Sequence, residues 1–188
     1  MLHALVFAIH ECGFWARCAL ELEDSGEERI RKIKRIICEY RYGVHDISRV
    51  ELDAVNRLPR FNMPLELGLF LGAQEYGAGD QARQCSLVLD TERYRYQKFC
   101  SDIAGQDGRA HEGRPDRVIA AVRAMLSTAL DGRGRMPGPA TIRERFADFR
   151  AELPRISRQL HVRVSELQFV EYRTLVEEWL GRNPLRSV

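Results

Sequence analysis

Leu2, Leu5, Val6 and Ile9 recur at three- and four-residue intervals, and Gly13 follows them, which predicts a helix over residues 2–12. In residues 14–21 the period changes. Phe14, Ala16, Cys18 and Leu20 alternate with Trp15, Arg17 and Glu21, the pattern of a strand with one covered face. An acidic turn, Glu23 to Gly26, leads into residues 27–40, where Ile30, Ile33, Ile36 and Ile37 share one helical face and Arg and Lys take the other. After Gly43 the run VHDIS reads as a short strand, and QCSLVLD, residues 84–90, as a second. Between them an apolar helix spans residues 63–76 and ends near Tyr76-Gly77.

Residues 91–114 mix a Tyr- and Arg-rich piece, with a short helix expected about Tyr96 to Ile103, and the loop GQDGRAHEG. Pro115 opens a further helix to about Asp131, with Val118, Ile119, Val122, Met125 and Leu126 inward. The run GRGRMPGP, residues 132–139, stops helix and strand alike and marks a linker. Beyond it one helix carries Ile142, Phe146, Phe149 and Leu153 and stops before Pro154. Another starts at Ser165, with Gln168 completing its capping box, and carries Leu167, Val170, Leu175, Trp179 and Leu180.

Strands alternating with helices imply βα units, so an α/β fold is expected with a parallel sheet flanked by helices. The organisation that follows is an α/β domain over residues 1–131, a linker over 132–139 and a C-terminal helical appendage over 140–188. The alternation starts on a helix, so the sheet lacks a leading strand. Either residues upstream of Met1 supply it, or the sheet closes differently.

Charge narrows the functional classes. With 188 residues and a formal net charge of +2, the chain has no basic excess of the kind a nucleic-acid binder needs. Apolar residues at 45% and charged ones at 30% exclude a disordered chain. No run reaches the roughly 18 apolar residues of a membrane span, and the first residues lack a basic n-region and a cleavage site, so a cytoplasmic protein is expected. The five cysteines form no C-x-x-C pair and fit reduced, mostly buried thiols, and the histidines are scattered, so no metal site is expected.

The chemistry concentrates in residues 42–73. From Phe61 to Ala73, Glu66 is the only ionisable side chain. An acid in a first helical turn meets free amide groups and the positive end of the helix dipole, which is the structural account of it. Against that, a carboxylate in a helix apolar on nearly every side is expected to be buried, and a buried carboxylate without a partner is costly. Such a group in a cleft is a candidate functional residue. Ligands of open α/β sheets gather at the carboxyl ends of the strands. Three acidic positions fall at such ends: Glu21 to Asp24, Asp46 and Asp90. Asp46 is equally a turn residue. Arg57 and Arg60 precede the Glu66 helix, so Asp46, Arg60 and Glu66 are candidates for one crevice. The G-x-x-x-G spacing of Gly68 and Gly72 reads as close backbone packing, with room for a ligand beside Glu66 as the other account.

The order strand, YGVHDIS, loop, LPRFNMPLELGLFLGA resembles the nucleoside 2-deoxyribosyltransferase-like and Toll/interleukin-1 receptor (TIR)-like group of flavodoxin-type folds. The resemblance covers residues 1 to 130 and is specific between 42 and 73. It implies a flavodoxin-like sheet and chemistry on an N-glycosidic bond, in a bacterial defence or signalling role. It further implies Glu66 and Asp46 as catalytic carboxylates, Arg60, Arg57, Asn62 and Gly68 as substrate-binding positions, and NAD or another nucleotide or nucleoside as substrate, with no separate cofactor. Two departures stand out: the family's first strand is not visible, and FNMP replaces its G-T before the glutamate. The C-terminal helices are expected to pack on the main domain, with a homodimer or larger homo-oligomer as the other account of them. The competing expectation is a non-catalytic nucleotide-sensing module or a TIR-like interaction domain.

Overall fold

The computed structural model describes residues 1–21, 26–55, 57–130 and 136–185. Six α-helices and three strands are described: α1 (Leu2–Glu11), α2 (Arg29–Glu39), β1 (Tyr42–Asp46), α3 (Asn62–Tyr76), β2 (Cys85–Asp90), β3 (Arg109–Ala110), α4 (Pro115–Ala129), α5 (Pro139–Gln159) and α6 (Phe169–Arg182). Short 3-10 turns occupy Gln81–Arg83, Arg95–Lys98 and Ser101–Ile103, so the helix expected about Tyr96 to Ile103 is two such turns. The chain forms two compact units, Asp24–Arg117 in one and Met1–Glu23 with Val118–Val188 in the other. The expected division into 1–131 and 140–188 does not follow this partition, because the first helix groups with the C-terminal ones.

The unit Asp24–Arg117 is α/β. Its sheet has the order β1-β2-β3 with both pairings parallel, Tyr42 opposite Cys85 and Asp46 opposite Leu89 on one side, Leu89 opposite Arg109 on the other. β3 lies inside what reads in sequence as a glycine loop. Two residues are too few to show a period of two, so only the pairing with β2 identifies it.

Helix α3 packs on β1 where the strand has no side chain: a Cβ at Gly43 would stand 2.7 Å from both the Phe70 ring and His45 Nε2. His45 meets Phe70 edge-on at 5.1 Å. Ile47, Leu67, Val88 and Tyr96 form the buried core beneath α3, with Met63, Leu71, Phe99 and Ile103 against it. Helix α2 is tied to the sheet by Gln84, whose amide donates to the carbonyls of Ile37 and Tyr40.

Two expectations about α3 are corrected. The helix is not buried all round, because only Leu67 and Phe70 are buried while Leu65 is 57% exposed. Nor do Gly68 and Gly72 mediate close packing: a Cβ at either would meet nothing within 4 Å. An apolar composition records which side chains a helix carries, not whether anything covers them.

In the other unit, α1, α5 and α6 enclose an aromatic cluster. Phe7 lies 5.3 Å from Phe146, 5.5 Å from Phe149 and 5.9 Å from Trp179. Glu11 is buried and receives Arg145 at 2.9 Å. Residues 14–21 are not a strand. Their alternation holds only at Trp15, exposed, and Ala16, buried; Leu20 is exposed where a covered side chain was expected, and no described strand pairs with them. Arg173 holds the segment instead, donating to the Ala16 carbonyl and to Glu21 while lying 4.8 Å over the Trp15 ring. Residues 22–25, which include the rest of the strand-end acidic group expected over Glu21 to Asp24, lie outside the described residues.

Helix α5 does not stop before Pro154 but runs through it to Gln159, with Ile156 and Ser157 buried on the far side. Helix α6 starts at Phe169 rather than Ser165, and its capping box is Gln168 with Glu171. Of the expected linker, residues 132–135 lie outside the described residues. All five cysteines are free, and only Cys12 is buried, so the expectation of mostly buried thiols is not met. No helix among the described residues is long and apolar enough to cross a membrane.

Candidate functional site

The parallel strands deliver three polar side chains to one edge. β1 ends on Asp46, β2 ends on Asp90, and His111 follows β3. Backbone hydrogen bonds hold the edge in register: Ile47 N–H donates to the Leu89 carbonyl at 2.9 Å and His111 N–H to that of Asp90 at 2.8 Å.

Asp46 is held on one oxygen. Its Oδ1 accepts the Ser48 N–H at 3.1 Å and faces His111 Nε2 at 3.4 Å, while the side chain remains 21% exposed. The His111 tautomer follows from its other nitrogen. Gly113 N–H donates to Nδ1 at 3.0 Å, so Nδ1 bears no proton and Nε2–H points to Asp46. Glu112 and Gly113 make that return possible by taking positive φ values of 51° and 69°. The sequence expectation of Asp46 as a turn residue and as an edge residue is met at once, because the Ser48 contact is an Asx turn.

Asp90 is 2% exposed and paired. Its Oδ1 accepts Arg95 Nε at 2.8 Å, Arg95 Nη2 at 2.6 Å and Thr91 N–H at 2.6 Å, whereas its Oδ2 is buried with no donor among the described residues. Arg95 Nη2 also donates to the Ser48 carbonyl at 2.7 Å. Ser48 thus joins Asp46 through its N–H and Arg95 through its carbonyl. Tyr94, left-handed at φ 60°, turns the chain into the 3-10 turn that carries Arg95. Sequence reasoning placed Asp90 at a strand end but missed His111 and Arg95. Both sit in aperiodic segments, and the one local signal was an arginine five residues beyond a strand-ending aspartate.

Glu66 lies elsewhere on the same unit. It occupies the second turn of α3, not the first, and its side chain is 18% exposed. It neither caps its helix nor stands alone, for Arg29 at the start of α2 places Nη2 3.8 Å from Oε1. Burial raises the Glu66 pKa, and the Arg29 cation opposes that rise without cancelling it. A cavity of about 460 Å3, lined by Gly26, Glu27, Glu28 and Arg31, opens at the same end of α2, and Glu66 is not among its lining residues.

The expected crevice of Asp46, Arg60 and Glu66 is not assembled by any hydrogen bond or ion pair among the described residues. Alternation along β1 gives a reason. His45 faces Phe70 of α3, so Asp46 faces the other side of the sheet. Arg60 is exposed and pairs with Asp53 at 3.2 Å, inside a loop closed by the Leu52–Pro59 bridge. Arg57 belongs to the same loop at φ 56°, with its N–H on the Asp53 carbonyl. Asn62 is the first residue of α3 and exposed, as is Gly68. Among the described residues no group of three His, Cys, Asp or Glu side chains is arranged to hold a metal ion.

Comparison with protein-family models, curated proteins and solved structures gives no match.

Proposed function

We propose that the unit Asp24–Arg117 is a flavodoxin-type domain that binds a nucleoside or nucleotide, NAD foremost, and breaks or transfers its N-glycosidic bond. The observation that carries the reading is Glu66: a half-buried carboxylate whose pKa burial raises, with its one described ion-pair partner 3.8 Å away. Heterolysis of a C1′–N bond leaves the electron pair on the departing base and positive charge on the ribose. A weakly hydrated carboxylate stabilises that charge better than a solvated one, and water or an acceptor nucleoside then takes the sugar. Asp46, whose side chain faces the side of the sheet away from α3, is not assigned to the ribose that Glu66 serves. The NAD-type reading also rests on the likeness of residues 42–73 to the deoxyribosyltransferase-like and TIR-like group.

The test incubates the full chain with NAD and a panel of nucleosides and measures released nicotinamide or free base. Glu66→Gln keeps the shape of the side chain and removes its charge, so release is expected to fall by about 100-fold or more. Equal release by wild type and variant removes Glu66 from the chemistry. Ligand-induced thermal stabilisation without release makes the unit a sensor.

A second reading, a TIR-like assembly domain, is favoured by one observation. Leu52, Val55, Leu58, Phe61 and Leu65 are all exposed, Val55 by 92%. Exposed apolar side chains gathered in one stretch of chain are a feature of interaction surfaces.

A further inference from the structure

We infer that Arg95 anchors a phosphate group at the carboxyl edge of the sheet, so that the ligand of this unit is a nucleotide and not a bare nucleoside. The inference rests on the N-glycoside reading for the sugar and base, and it concerns the phosphate alone.

A guanidinium presents five N–H donors in a planar fork. Three contacts use one side of it, with Nε and Nη2 on Asp90 Oδ1 and Nη2 on the Ser48 carbonyl. Nη1 has no partner among the described residues, and the side chain is 18% exposed. The free N–H groups therefore reach solvent from a group that is otherwise immobilised. Phe99 backs the guanidinium at 5.4 Å from its ring centre. An arginine ordered before its ligand arrives loses little further rotamer freedom on binding, which leaves more of each hydrogen bond for affinity. Arg60, the arginine the sequence offered for this role, is exposed and engaged by Asp53.

The position matters as much as the geometry. Asp46 pairs with Leu89, so Asp90 and the Arg95 that it holds lie on the other face of the sheet, the one on which α3 packs. Arg95 stands at the carboxyl end of β2, at the edge where α/β sheets collect their ligands.

The experiment measures equilibrium binding of AMP, adenosine and inorganic phosphate to the full chain by calorimetry. AMP is expected to bind about 10- to 100-fold tighter than adenosine, the range of a hydrogen bond to a charged group. Arg95→Lys should bring AMP close to adenosine and leave adenosine unchanged. Because Arg95 also neutralises buried Asp90, a second variant, Asp90→Asn with Arg95→Gln, removes the pair without stranding a charge. It should lose the same preference while keeping a cooperative thermal transition. Inorganic phosphate should compete with AMP in the wild type and in neither variant. Equal wild-type affinity for AMP and adenosine, or a preference that survives in a folded variant, overturns the role of Arg95 and leaves the glycosidic reading in place. If AMP, adenosine and NAD all fail to bind, both fall.

Discussion

Burial deprives His45 of its proton. The ring sits between Gly43 and Phe70 with Nε2 buried and without a partner among the described residues, and desolvation lowers its pKa from the usual 6.5 to about 4. The neutral form is the one the fold accepts, whereas the unfolded chain takes up a proton below about 6.5. Stability is therefore complete above that pH and is lost as pH falls towards 4, by about 3 kcal/mol for this one group. His45→Leu should flatten the acid limb of a urea-midpoint profile between those two values, and an unchanged slope would show that His45 is protonated in the fold. Glu66 is a different case. Its isolation was legible, since no other ionisable residue lies between Phe61 and Ala73, but its partner Arg29 belongs to another helix, and local spacing carries no information about it. The same holds for His111 opposite Asp46, 65 positions away in sequence.

Helix α5 keeps its course through a residue that ordinarily ends helices. Pro154 lacks the N–H for the preceding turn, yet Ile142, Phe146, Phe149 and Leu153 before it and Ile156 beyond it are all buried on one continuous helix. Packing outweighs a local penalty of about 3 kcal/mol. Pro154 itself is exposed, so Pro154→Ala should raise the thermal midpoint, read by calorimetry. A lower midpoint would mean that the proline stabilises the helix at that position. Helices α1, α2 and α4 were readable almost to their ends because each shows its period over about ten residues or more, and α3 because it is one apolar run with Pro64 near its start. Residues 14–21 show equally good alternation and form no strand. A strand needs a neighbour for its backbone hydrogen bonds, whereas a helix satisfies its own.

Two units with different architectures divide the chemistry of the chain. The α/β unit holds every candidate site residue, and the helical unit holds the aromatic core and the Arg173 and Arg145 ion pairs. The exposed apolar side chains of the first unit carry the prediction that belongs to the molecule as a whole. If they form a contact between copies, light scattering should show concentration-dependent dimers that Val55→Asp with Leu65→Glu abolishes without lowering the thermal midpoint, since both residues are exposed. A wild type that stays monomeric across the accessible range excludes that surface. From its sequence alone the chain specified a mixed α/β fold, the two longer strands and most helices, and it marked Glu66 and Asp46 as unusual, because periodicity and composition are local properties. Which strand pairs with which, the existence of β3, and the pairing of Glu66 with Arg29, of Asp46 with His111 and of Asp90 with Arg95 came from the folded structure. All but the last of those contacts join residues far apart in the chain, and nothing along the sequence encodes distance in space.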